Sequence, residues 1–140
     1  MYYQYRMRGF SMTTKQIIQT DKAPAAIGPY SQGVIAPVGS TVYLSGQIGL
    51  EPSNGELVSG NFEEQVRQAF ANMTAIIHAS GGSLNSIVKL TLFVTDIGNF
   101  GIVNSVMSEL IPQPYPARST VEVSALPKGA QFEVEAIIVI

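Results

Sequence analysis

The sequence predicts an α+β domain, with a mixed β-sheet that carries two helices on one face. Three observations lead there. Apolar residues recur at helical spacing over 62–77 and again over 100–110. A strand-like alternation lies between these stretches, and two more follow the second. The order is therefore strands, helix, strand, helix, two strands, within 140 residues, the length of one domain.

The first eleven residues, MYYQYRMRGFS, lack an apolar core of signal-peptide length. They read as an extension outside the fold, which leaves 12–140 as the domain. Residues 15–19 are short and β-compatible. Residues 23–33 contain Pro24, Gly28, Pro29 and Gly33, and read as an ordered loop. Two β-compatible stretches, 34–36 and 41–45, flank Pro37-Val38-Gly39-Ser40, a pattern that predicts a hairpin. Residues 51–60 form a further loop.

Phe62, Val66, Ala69, Phe70, Met73, Ile76 and Ile77 make the stripe of the first helix. Asn61 is its expected cap, with Glu64 three residues on. Gly81 and Gly82 end it. His78 falls in the last turn, where a cation is favoured, and reads as structural. A strand over 87–95 follows, with Val88, Leu90, Leu92 and Val94 on one face. Asp96 is expected to cap the second helix, whose stripe is Phe100, Val103, Met107 and Leu110, with Pro112 just beyond. The final strands are predicted over 119–125 and 131–140. In the last one, Phe132, Val134, Ala136, Ile138 and Ile140 share a face suited to packing on the helices. Glu133, Glu135, Ile137 and Val139 share the other. A face that is half apolar and half carboxylate suits a subunit interface that also lines a site.

Composition narrows the chemistry. Hydrophobic residues make up 46% and charged residues 13%, a low charge density for a small monomer with much surface to cover. Burial of some apolar surface between subunits is expected. The net charge is −2, and both basic residues of the first eleven, Arg6 and Arg8, lie outside the expected domain. The rest carries six basic and ten acidic residues, which weighs against a nucleic-acid partner. The chain has no cysteine and one histidine, which removes thiol nucleophiles, zinc–thiolate sites and two-histidine metal sites. No apolar run is long enough to span a membrane, so the expected compartment is the cytoplasm.

Acid–base work then falls to carboxylates, tyrosine and water. Tyr30 sits on the Gly/Pro-fixed loop as a rigid aromatic wall with a hydroxyl, or as a buried turn aromatic. Arg118 stands at the entrance of an apolar strand, where its charge needs a partner. Its planar fork fits a substrate carboxylate, or alternatively Glu133 or Glu135. Glu133 lies on the half-apolar face, which desolvates it unless a cation is near.

Four segments taken together resemble a known family. APAAIGPYSQGV, YLSGQIG, KLTLFVTDIGNF with its following VN pair, and YPARSTVEVSALPKGAQFEVEAI are similar, in order and spacing, to the Rid family of reactive intermediate deaminases, also called the YjgF family. The resemblance runs from about Lys15 to Ile140. It implies a chorismate-mutase-like (ferredoxin-like) subunit, a homotrimer with clefts at the subunit interfaces, and hydrolysis of 2-imino acids or their enamines to 2-oxo acids and ammonia. The substrates it implies include 2-iminobutanoate and 2-iminopropanoate, supplied by pyridoxal-phosphate dehydratases acting on threonine or serine. No metal or cofactor is implied.

Carried over by position, the resemblance makes Arg118 the carboxylate-binding residue and Glu133 the water-positioning residue. Tyr30, Ser45, Gly46, Asn104 and Thr120 complete the expected site. Thr120 departs from the better-known branch, which has cysteine there and is thought to use that residue's backbone carbonyl. The threonine rules out thiol chemistry at this position. Two other readings share the resemblance: a trimer that binds 2-oxo acids without turnover, and an endoribonuclease or translation inhibitor. The acidic balance disfavours the second of these.

Overall fold

A computed structural model describes residues 14–140; the extension expected over 1–11 lies outside the described residues. The elements are β1 (Gln16–Ile18), β2 (Gly33–Ile35), β3 (Thr41–Ile48), α1 (Phe62–Ala79), β4 (Ile87–Val94), α2 (Phe100–Leu110), β5 (Ala117–Glu122) and β6 (Phe132–Val139). The main sheet has the order β3-β6-β4-β5. Its β4–β5 pair is parallel and the other pairs are antiparallel, so the sheet is mixed as predicted.

Both helices pack on one face. Phe132, Val134, Ala136 and Ile138 of β6 share a single buried cluster with Val66, Phe70, Met73 and Ile77 of α1 and with Val103, Val106 and Met107 of α2. Phe132 is the hinge of this packing, edge-on to Phe62 at 6.3 Å and tilted against Phe70 at 5.7 Å between ring centroids. The helix α1 begins at Asn61, whose side chain accepts a hydrogen bond from the Glu64 N–H. It ends where Gly81 takes a φ of +90° and Gly82 N donates back to the Ile77 carbonyl. His78 is exposed in the last turn.

The hairpin expected around 37–40 does not form. β2 pairs with β1, and β3 pairs with β6, Val42 opposite Ile138 and Leu44 opposite Ala136. Tertiary burial overrides the local turn signal here, because β3 gains a partner whose apolar face already sits on α1. The intervening corner is bound to the chain end instead. Ser40 N donates to the Ile140 carbonyl, and Ile140 N donates to the Ser40 carbonyl. Gly39 lies so close that an added Cβ would stand 2.5 Å from the Ile140 carbonyl oxygen.

Smaller differences have similar causes. A register shift between Ile87 and Lys89 turns Ile87 into the core in place of Val88. Asp96 caps a short 3₁₀ turn over Ile97–Asn99, accepting from Gly98 N, and α2 starts only after it. Ile76, Leu110 and Ile140 lie at the margins of their stripes and stay exposed. Strand β5 begins at Ala117, so Arg118 lies within the strand and not at its entrance.

Candidate active site

The loop before β2 is fastened to the outer edge of β5. Ser31 bridges to Ala117 in parallel, Ser31 N donates to the Pro116 carbonyl, and Ser31 Oγ donates to the Tyr115 carbonyl at 2.6 Å. Gln32 ties the loop to itself through Thr20 and Pro24. This fastening sets Tyr30 beside Arg118, which the sequence places 88 positions further on.

Arg118 is opposite Leu90 in the sheet, and Leu90 is fully buried under the helices. Arg118 therefore points to the helical side, toward α2. Its Nη1 donates to Asn104 Oδ1 at 2.7 Å and touches Met107 Sδ at 3.4 Å. The guanidinium carbon lies 4.8 Å from the Tyr30 ring centroid and 4.9 Å from that of Phe100, so both rings hold the planar head. Burial lowers the Arg118 pKa from its ordinary value, and the Tyr30 hydroxyl partly opposes that shift. The guanidinium stays charged regardless. Among the described residues Arg118 has no carboxylate partner, and its Nε and Nη2 donors make no hydrogen bond. The salt bridge to Glu133 or Glu135 allowed by the sequence is absent.

These side chains line a cleft of about 410 Å³, with Ile27, Tyr30, Phe100, Asn104, Arg118 and Thr120 in its wall. Ile27 is 92% exposed at the mouth, and its N–H donates to the Tyr30 hydroxyl at 3.3 Å. Gly28 passes close to the arginine: an added Cβ would lie 3.3 Å from Nη2. A positively charged fork and two aromatic walls suit a small molecule with one carboxylate.

Ser45, Gly46 and Glu133 are elsewhere in the subunit. Glu133 is opposite Phe93, three residues beyond Leu90, so it projects from the sheet face that carries no helix. Gly46 lies in a register shift of β3 between Leu44 and Gln47, and an added Cβ there would overlap the Glu133 carboxylate. Ser45 is exposed beside it. The expected site thus divides into an Arg118 half on the helical side of the sheet edge and a Glu133 half on the open face. The sequence sets Phe100 and Met107 in the core stripe, names Gly28 only as a residue that fixes the Tyr30 loop, and gives Ile27 no role of its own. The available signal was the i, i+4 spacing of Phe100 and Asn104, which stacks both on one side of α2.

A family model described as Endoribonuclease L-PSP matches residues 20–140. The chain belongs to this family, the Rid family. Among curated relatives, the 2-iminobutanoate/2-iminopropanoate deaminase of Dermatophagoides farinae is 48% identical, over 92% of this chain and 99% of the relative. The protein of the same name from Homo sapiens is 45% identical, over 91% of each chain. Among solved structures, RidA from the Antarctic bacterium Psychrobacter superposes with a TM-score of 0.70 at 50% identity, covering 89% of this chain and 99% of that one. The Rid fold read from the motifs is the fold observed, a mixed sheet with two helices on one face. No helix of the described residues is long and apolar enough to cross a membrane.

Proposed function

We propose that this protein hydrolyses small 2-imino acids, or their enamine tautomers, to 2-oxo acids and ammonia. The observation that carries this reading is Arg118: a half-buried guanidinium, held by Asn104 and two aromatic rings, lining a cleft of small-molecule size, with Nε and Nη2 bonded to none of the described residues. Family membership supplies the reaction, since the curated relatives bear the name 2-iminobutanoate/2-iminopropanoate deaminase.

In this mechanism the substrate carboxylate takes the Nε and Nη2 edge of Arg118, which orients C2 of the iminium. A water held by Glu133 adds its oxygen to C2, and Glu133 accepts the water's proton. The product is a tetrahedral carbinolamine. Its nitrogen takes that proton back from Glu133; as the C–N bond breaks, the carbinolamine hydroxyl gives its own proton to Glu133, and ammonia leaves a 2-oxo acid. Imines hydrolyse in water unaided, so only a modest barrier reduction is required of the site.

The separation of Arg118 and Glu133 on opposite faces of one sheet supports assembly of the site between copies of the chain. The open face carries Glu133 and Glu135 beside Ile137 and Tyr43, and Tyr43 is 77% exposed. Such a face suits a neighbouring subunit, whose Arg118 cleft would meet Glu133 across the seam. Family resemblance supports a trimer as that assembly. The cytoplasm is the compartment that fits this chemistry. A binding-only reading draws on the same geometry, because the Arg118 half alone holds a carboxylate without a base.

The test is an assay in which 2-iminobutanoate is generated in situ. Its loss should accelerate on adding the protein, with or without a chelator. No acceleration, together with tight 2-oxobutanoate binding, would favour the binding-only reading. Activity lost in chelator and restored by a divalent ion would overturn the metal-free mechanism.

A further inference from the structure

Lys15 stands one residue before β1 and reaches across to the start of β4, where its Nζ donates to the Ile87 carbonyl at 2.9 Å. The side chain is half-buried, and burial lowers the pKa of its ammonium from the ordinary value. Among the described residues no carboxylate pairs with it, since both ion pairs belong to Arg67. The residues before Thr14 contain no Asp or Glu, so they bring no acidic side chain to it either. A cation taken partly out of water without a counter-charge is unfavourable. An ammonium has three N–H donors, and the Ile87 carbonyl takes one of them.

Lys15 borders a cavity of about 300 Å³, with Asn85, Ser86, Pro37, Pro114 and Val139 also in its wall. The cavity has no lining residue in common with the Arg118 cleft, and no Asp or Glu lines it. Ser86 Oγ accepts from Ser83 N at 3.1 Å, which occupies a lone pair and leaves the hydroxyl proton to donate elsewhere. Asn85 adds an exposed amide. The wall thus combines a positive charge with donors that are not used up within the fold.

The donor chemistry differs from that of the cleft. The Arg118 guanidinium is flat and matches the two oxygens of a carboxylate. An ammonium is a point charge with diverging N–H groups. With a hydroxyl beside it, it suits an anion whose oxygens point in several directions. We propose that this cavity is a second anion site, which takes a small phosphate-type oxyanion on the Lys15 ammonium and the Ser86 hydroxyl, with the Asn85 amide beside them. Binding there supplies the counter-charge that Lys15 lacks, and it is independent of imine turnover.

The experiment titrates inorganic phosphate into Arg118→Ala at constant ionic strength, so that the cleft arginine does not contribute. The amide NMR signals of Asn85 and Ser86 report occupancy. They should shift and saturate. Adding Lys15→Met, which keeps an unbranched stem and removes the charge, should weaken phosphate at least about tenfold, the scale of one charge-assisted hydrogen bond. Lys15→Arg should stay within about threefold. Acetate should bind more weakly than phosphate. Comparing Lys15→Met with the unsubstituted chain by the same signals keeps the test open if Arg118→Ala folds poorly. Signals that fail to saturate, or equal phosphate affinity with and without the Lys15 charge, overturn the proposal. Acetate binding as tightly as phosphate overturns the assignment of the anion class.

Discussion

Arg118 is held in place before any ligand arrives. Asn104, Met107, Tyr30 and Phe100 each constrain its head, so little side-chain entropy remains to be lost on binding a carboxylate. Arg118→Lys keeps the charge and loses the fork. Isothermal titration with 2-oxobutanoate should show affinity falling about 10- to 100-fold, the worth of one or two charge-assisted hydrogen bonds. Arg118→Ala should lose both binding and turnover. Glu133→Gln keeps the shape of the side chain and cannot take a proton. It should spare 2-oxobutanoate affinity while kcat falls about 10²- to 10⁴-fold, the usual reach of a general base. Unchanged turnover in Arg118→Ala would reduce the cleft to a surface feature. The glycines matter at the same scale. Gly28→Ala sets a methyl 3.3 Å from Arg118 Nη2 and should weaken carboxylate binding while leaving the fold intact, as read by circular dichroism.

Two elements, α1 and β6, support the sheet that carries the site, and their contributions are separable. Helix α1 contributes packing: Val66, Ala69, Phe70, Met73 and Ile77 are buried against the sheet. Phe70→Ala should cost about 3–5 kcal/mol in urea unfolding, from lost transfer energy and the cavity left beneath Phe132. Asn61→Ala removes the cap on Glu64 N and should cost about 1 kcal/mol. A cost for Asn61→Ala as large as that for Phe70→Ala would contradict this division. Strand β6 contributes two faces at once. Period-two alternation sends Phe132, Val134, Ala136 and Ile138 inward and presents Glu133, Glu135 and Ile137 outward. The same eight residues thus complete the core and supply the proposed base.

At the scale of the whole molecule, one sheet divides the proposed chemistry between its two faces. If a neighbouring copy completes each site, two inactive variants should rescue one another. In a cyclic trimer of randomly mixed Arg118→Ala and Glu133→Gln chains, about a quarter of the interfaces pair an intact arginine with an intact glutamate. Co-refolding the two variants should therefore return about a quarter of parental activity by the same reasoning. No recovery would place the whole site within one chain, contrary to the opposite-face geometry. Mass measurement in solution should give three chains per particle, and Tyr43→Glu on the open face should lower that number.

Much of this was legible in the residues themselves. The stripes of α1 and α2, the Asn61 cap, the glycine stop, the inward face of β6 and the motifs that mark the Rid family are all local or periodic, and local physics needs no knowledge of the rest of the chain. Arg118, Tyr30, Asn104 and Thr120 were named from motifs, and the structure brings them together in one cleft. What the sequence could not decide was long-range. Whether β3 pairs with β2 or β6, whether Val88 or Ile87 turns inward, and whether Arg118 meets Glu133 within one chain all depend on strand register. A one-residue change of register moves a side chain to the opposite face, and register is selected by the burial of every strand at once.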